Sequence, residues 1–432
     1  MTNFIFTKIL LNSSNILKLL FYFFPIMMLC SSGYITVYIT FVTIFSLYYF
    51  LYNKIRVKIS LLDYLVLFFF LSSITSTLLN IKEIGGFMFL KSILDIRFAI
   101  FFFTTRLIIQ LKIVDIKTLS FIALFSTIFL SLNIFSQHII GFDIFGHPPF
   151  DGRYNGLFES EAIAGSYIQK FTLLSMLCIF FYSNNEKTKS LFLIISINFL
   201  GMGILLSLDR MPFLIYLFII IAIILIFKKY RIAFASGIIL LLLIFQFFFN
   251  NYDIVKNRYS SLINKYEILK IQNFFLKKKL DNKSNSQSDV SYSYVEDYLD
   301  IYYAAYKIFL KNPFLGTGIK SFNKQCNKLE IDNKKLICLT HPHNIYSEII
   351  INQGILGILI FIIILTLLLK TYYSDLFLKR IVNDEFIIKT FLFIWLISEL
   401  LPLRSYGSIF QTVNGSIFWF FLAIISSRLN IK

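Results

Sequence analysis

Proline, glycine, acidic residues and histidine are all scarce in this 432-residue chain, and each scarcity narrows what it can be. Only 7 Pro and 17 Gly interrupt the apolar sequence. It therefore runs on for about 17 to 25 residues at a time, the length of a membrane-spanning helix. Strict alternation of polar and apolar residues is missing as well, which argues against a transmembrane β-barrel. Charged residues make up 15% of the chain against 57% hydrophobic and 18% aromatic, with a mean hydropathy of +0.74, too apolar for a water-soluble domain. Four cysteines make no disulfide framework, and Cys30 and Cys178 fall inside apolar runs where packing is their ordinary role. The 24 Asp and Glu are outnumbered by 41 Lys and Arg, giving a formal charge of +17. The basic residues stand in short clusters between apolar runs, a distribution that argues against a nucleic-acid partner and for membrane orientation. No internal repeat is present.

The fold class expected is an all-α polytopic membrane protein forming one integral membrane domain over residues 1–432. Ten to twelve spans, about twelve by length, are read. They lie near 15–31, 34–52, 61–80, 92–110, 118–136, 161–182, 190–208, 211–227, 232–249, 345–369, 385–403 and 412–427. The close pairs around Ser32 and Arg210 are each readable as one broken helix. Ser31, Ser32 and Gly33 resemble a signal-peptide cleavage site, but the immediate second apolar run argues against cleavage. With the N-terminus inside, every second connection is basic: Lys54, Arg56 and Lys58; Lys112 and Lys117; Lys187 and Lys189; Lys228, Lys229 and Arg231; Lys370, Lys379 and Arg380; Arg428 and Lys432. Both termini are then cytoplasmic, in a bacterial cytoplasmic membrane. Residues 250–341 form a large outer, periplasmic segment between the ninth and tenth spans. Within it, Asp253–Leu280 has helical spacing, Val295–Leu310 reads as an amphipathic Tyr-rich helix, and Asp281–Ser293 is polar. Lys277, Lys278 and Lys279 are either a solvated charge run or a contact for anionic lipid or glycan.

Two of the four histidines fall in Thr340-His341-Pro342-His343-Asn344, where the outer segment enters a span. Imidazole titrates near neutrality and accepts a proton from an attacking hydroxyl, so general-base work suits this boundary. A capped helix start is the structural alternative. No Cys, Asp or His completes a metal-ligand spacing there, and no metal or other cofactor is expected. Gly354 and Gly357, on the span that follows, would let neighbouring helices approach closely. Singly placed arginines form a second constellation: Arg97 in a span, Arg153 in an outer loop, and Arg210 and Arg404 at outer helix junctions. Guanidinium binds phosphate oxygens bidentately, and ionisable residues at membrane depth are costly, so a shared cavity for pyrophosphate is one reading. Pairing of Arg210 with Asp209, and of Arg97 with Asp95 or with the interface, is the other.

Residues 150–360 resemble the O-antigen ligase and polymerase family. The resemblance rests on four blocks in family order: Arg153-Tyr-Asn-Gly156-Leu-Phe158 with Glu161, Ala164 and Gly165; Asp209-Arg210; Ala305 through Asn312-Pro313-Phe-Leu-Gly316-Thr-Gly318 and Phe322; and His343-Asn344 followed by Gly354-x-x-Gly357. The first 140 residues are similar only in being membrane spans. What the resemblance implies is metal-independent, inverting glycosyl transfer in surface-polysaccharide synthesis, from an undecaprenyl-pyrophosphate-linked glycan to an acceptor hydroxyl at the periplasmic membrane face. The acceptor would be a lipid A-core sugar for a ligase, or another lipid-linked repeat unit for a polymerase. His343 would activate the acceptor, Arg153 and Arg210 would hold the pyrophosphate, and Glu161, His341, Asn344, Arg97 and Arg404 would support them. The chain departs from the family where arginines are usual: Tyr298 stands before the Ala305 helix and Asn323-Lys324 after Phe322, leaving Lys320 or Lys324 as substitutes.

Cys326 and Cys338 bracket a short outer loop just before the histidines, and an oxidising compartment permits a disulfide between them. A closed loop of that size is worth roughly 3 kcal/mol. A transporter of lipid-linked glycans is the alternative of another class, though inverted repeats and broken central helices, the usual signs of one, are not apparent.

Overall fold

The computed structural model describes residues 13–159, 161–263, 294–331, 334–335, 338–374, 384–402, 404–405 and 407–427. Apart from a two-residue antiparallel ribbon, Glu330–Ile331 with Lys334–Lys335, the regular structure of these residues is helical. In chain order the helices are α1 (13–22), α2 (Phe24–Met27), α3 (Ser32–Tyr52), α4 (Leu61–Leu79), α5 (Ile81–Ile84), α6 (Gly86–Leu94), α7 (Ile96–Gln110), α8 (Ile116–Ile140) and α9 (Ala164–Tyr182). They continue with α10 (Glu186–Leu206), α11 (Arg210–Ile226), α12 (Arg231–Asn251), α13 (Asp253–Ile263), α14 (Tyr294–Lys311), α15 (Phe322–Cys326), α16 (Ile345–Tyr373), α17 (Asp384–Glu399) and α18 (Thr412–Ser426). Seven of them, α3, α4, α8, α9, α10, α12 and α16, are long and apolar enough to cross a membrane; α11 and α18 are shorter and apolar. Lys277, Lys278, Lys279 and the Asp281–Ser293 stretch lie outside the described residues.

Helix starts follow local chemistry. Ser60 and Asp63 form a capping box that opens α4, Asp115 accepts the Thr118 amide at 2.7 Å to open α8, and Asn185 caps α10. Burial then sorts the helices. An 18-residue stretch of α9 is 89% buried, whereas α12 and α16 are 22% and 28%, so α9 runs through the centre and α12 and α16 on the periphery. Aromatic stacks knit the centre: Phe24 lies 3.9 Å from Phe420, and Trp395 4.4 Å from Phe421, centroid to centroid. One buried ion pair joins α4 to α7. Arg106 donates from Nε to Asp63 Oδ1 at 2.8 Å and from a terminal nitrogen to Oδ2 at 2.6 Å, and it also reaches Gln110 and the Lys58 carbonyl.

The helices depart from uninterrupted apolar runs at three places. The run near 15–31 breaks at Phe23, two residues before Pro25. The run near 92–110 begins earlier, at Gly86, and is jointed at Asp95 between α6 and α7. The third break is inside α16, where Gly354 takes φ 64° and ψ −156°, so this span is a broken helix. Its freed backbone groups pair with the Asn-Pro-Phe-Leu-Gly-Thr-Gly run: Ile355 and Leu356 amides donate to the Pro313 and Phe314 carbonyls, and Thr317 and Gly318 amides donate to those of Ile351 and Asn352. Backbone groups away from water need such partners, which is why the break is tolerated. A Cβ on Gly354 would sit 2.5 Å from the Phe314 carbonyl, so only glycine fits there.

Candidate active site

At one end of the bundle, the starts of α3, α9 and α18, the helix α6 and the segments around residues 158–163 and 318–320 enclose a cavity of about 400 Å³. Its charged lining is three lysines, Lys91, Lys170 and Lys320, and one glutamate, Glu161. Lys170 projects from the central helix α9, is buried, and donates to Asn414 Oδ1 on α18, while its carbonyl accepts the Trp395 indole N–H at 2.9 Å. Lys320 follows the two left-handed glycines Gly316 and Gly318 and itself has φ 53°. Gly318 packs against Thr77, whose hydroxyl accepts the Ile319 amide at 3.1 Å, so the segment is fixed to the end of α4.

The four single arginines separate into different environments. Arg97 stands behind the cavity wall, donating to Thr412 Oγ1 at 3.2 Å and lying over the Phe98 ring. Arg404 is 4% exposed and bonds to Glu399 at 2.6 Å, the Ser398 carbonyl and Gln169 Oε1, which makes it a buried structural pair. Arg153 closes a tight turn, bridged to Phe150 by two backbone hydrogen bonds across Asp151 and Gly152, and its guanidinium lies 3.4 Å from Asp209 Oδ1. Arg210 begins α11 directly after that carboxylate, and Arg258 of α13 donates to the Leu208 carbonyl beside it. Burial raises the Asp209 carboxyl to about 6 against the opposing pull of Arg153. Asp209 Oδ2 accepts the Gly165 amide at 3.2 Å, and any side chain at 165 would collide with Ser207 and Asp209. The Arg153, Asp209, Arg210 and Arg258 group therefore stands against the start of α9, next to the cavity-lining Ser166.

His343 precedes α16 with φ 49°, its ring 4.1 Å from that of His341. It is half-buried, and burial pushes its imidazole below the ordinary histidine value, favouring the neutral, proton-accepting form. Asn344 is the helix cap: Oδ1 accepts the Tyr346 and Ser347 amides, and Nδ2 donates to the Pro402 carbonyl at 2.6 Å. One turn on, Glu348 is buried and accepts the Ile409 amide at 3.2 Å, tying α16 to the 408–411 segment that enters the cavity wall. A disulfide joins Cys326 and Cys338, Cα atoms 5.6 Å apart, and Asn323 Nδ2 donates to the Cys338 and Leu339 carbonyls, stapling α15 to the approach of the histidines. Among the described residues no group of three or more His, Cys, Asp or Glu is placed to hold a metal.

Of the residues singled out from the sequence, Glu161 and Lys320 line the cavity, Arg97 backs it, and His341, His343, Arg153 and Arg210 are outside its lining. Lys91, Lys170 and Arg258 were not anticipated. Lys170 had a signal, since a lysine in the middle of an apolar run is costly unless it serves a site.

No curated protein and no solved structure matches the chain. Residues 191–362 match a family model described as O-antigen ligase. That stretch holds Asp209-Arg210, the Gly316-Thr-Gly318 run, Lys320, His343 and the Gly354 break, and over it the chain is similar to the O-antigen ligase family.

Proposed function

We propose that this chain is a membrane glycosyltransferase of the O-antigen ligase type, moving a glycan from undecaprenyl pyrophosphate to a hydroxyl of lipid A-core at the periplasmic face. The observation that carries the reading is a family-matched segment that contains the half-buried imidazole of His343, Arg210 beside Asp209 and the cavity-lining Lys320. The twelve apolar runs, with basic connections alternating between them, support a cytoplasmic placement of both termini and a periplasmic site.

In the reaction, His343 takes the proton of the acceptor hydroxyl as its oxygen attacks the anomeric carbon of the donor sugar. The bond from that carbon to the pyrophosphate oxygen breaks, with inversion, and the undecaprenyl pyrophosphate leaves carrying the bonding pair. Charge gathers on the leaving group, so fixed cations assist this step most, and Arg153 and Arg210 supply them without a metal. Glu161, on the cavity wall, accepts hydrogen bonds from sugar hydroxyls.

The test is glycan transfer in liposomes containing an undecaprenyl-pyrophosphate glycan and, separately, lipid A-core or a second lipid-linked glycan, with wild type and His343→Ala. Transfer to lipid A-core that depends on His343 supports the ligase. A ladder of lengthened lipid-linked glycans makes the protein a polymerase. Movement of the donor across the bilayer with no transfer overturns the reading in favour of a transporter, the class that broken helices such as α16 otherwise suggest.

A further inference from the structure

Lys91 and Lys320 both line the cavity and stand close enough to act on each other directly, ammonium against ammonium. Neither makes a salt bridge among the described residues. Two like charges brought together on the wall of a cavity need an opposite charge, and Asp95, which is 1% exposed at the joint between α6 and α7, acts on both of them. Both Asp95 oxygens are buried without a hydrogen-bond partner. Asp95 therefore offsets the lysines through space while leaving their donors, three on each ammonium, available to the cavity.

The arrangement is held in place and is not the loose reach of surface lysines. Lys320 follows a segment whose Thr317 and Gly318 amides are bound to carbonyls of the broken helix α16 at 2.7 and 3.1 Å, and whose Ile319 amide is bound to Thr77. Arg97, adjacent to Asp95, adds a third positive charge behind Thr412. Cations outnumber anions here, and the donors are points and not planar forks. Ammonium groups bind a multiply charged oxyanion as compact point charges with rotatable donors.

We propose that Lys91 and Lys320 form an anion seat for a phosphate-class group, the phosphate or diphosphate of a phosphate ester, with Asp95 as the positioning carboxylate that holds the two ammoniums together while the seat is empty. The proposal rests on the glycosyl-transfer reading only for the source of the ester, which is either the diphosphate of the donor or a phosphate on the acceptor. The seat is built from residues other than those of the Arg153 and Arg210 group at Asp209.

The experiment uses the full-length protein in lipid nanodiscs with inorganic pyrophosphate as the probe, followed by titration calorimetry at low salt. Wild type binds. Lys91→Gln and Lys320→Gln each weaken binding roughly 10- to 100-fold, as expected for loss of one charge-assisted contact. Lys320→Arg keeps most of the affinity, and Lys311→Gln, an exposed lysine at the end of α14, leaves it unchanged. Melting curves identify which variants are folded. No binding by wild type, or equal binding by the folded Lys91→Gln/Lys320→Gln double variant, overturns the seat. In the transfer assay, a rise in KM for the donor alone in Lys320→Gln assigns the seat to the donor diphosphate, and a rise for a phosphorylated acceptor alone assigns it to the acceptor. Pyrophosphate binding that depends on both lysines, with no transfer to any acceptor, leaves the seat standing and removes the transfer reading.

Discussion

Replacing Gly354 by alanine is expected to destabilise the protein far more than its single added methyl suggests. At φ 64° and ψ −156° the residue occupies a region essentially reserved for glycine, and forcing alanine there costs about 1–3 kcal/mol. The new Cβ would also lie 2.5 Å from both the carbonyl carbon and the oxygen of Phe314, and 2.6 Å from the Pro313 oxygen. These are backbone atoms that cannot swing aside, so relief requires the 313–318 run to move away from α16. That displacement strains four backbone hydrogen bonds, those of the Ile355, Leu356, Thr317 and Gly318 amides. At about 1 kcal/mol each, losing half of them brings the total to roughly 3–5 kcal/mol. Thermal unfolding in detergent, read by tryptophan fluorescence or fluorescence-detected gel filtration, should fall by on the order of 10 °C. Gly33→Ala is the control, because its Cβ meets nothing within 4 Å, and it should melt with wild type. A Gly354→Ala protein that also melts with wild type would refute the reasoning and show that the break is not needed.

Three further outcomes follow from other parts of the molecule. Asp63→Asn or Arg106→Gln alone should cost about 3–5 kcal/mol because each strands a buried partner, while the double replacement should cost less than the sum; additive losses of melting temperature would count against the pair. Cys326→Ser/Cys338→Ser should lose up to roughly 3 kcal/mol of restraint on the approach to the histidines, seen as faster proteolysis after residue 326, and unchanged cleavage would argue against a clamp. Because burial lowers the His343 pKa, the neutral base persists below the ordinary histidine value near 6.5. Transfer should therefore hold steady from neutral pH down past that value and fall only as pH drops through the lowered pKa, whereas a decline already centred at or above 6.5 would contradict it.

Most of the helices were legible because long apolar runs leave few alternatives, and Asn344 was readable as a cap from its place before one. The broken α16 was not, since Gly354-x-x-Gly357 describes close packing as well as a break. What distinguishes them is the partner run at 313–318, about 40 residues away in sequence, and no local pattern encodes that pairing. The same limit applies at the site. Arg404 and Arg97 look alike as single arginines beside apolar runs, yet one is consumed by Glu399 and Gln169 and the other reaches the cavity wall. Lys91 carries no motif at all, and the turn at Lys320 brings a second ammonium beside it.

The cavity also sets an order on its own construction. Its walls come from α3 and α6 early in the chain, α9 in the middle, the Lys320 segment after the long insertion, and finally Gln411–Ile417 at the start of α18. The Lys320 wall cannot settle until α16 has arrived to accept the Thr317 and Gly318 amides, and the last side closes only with α18. During synthesis the chain thus carries the buried Lys170 before its cavity exists, and that cavity closes only with α18.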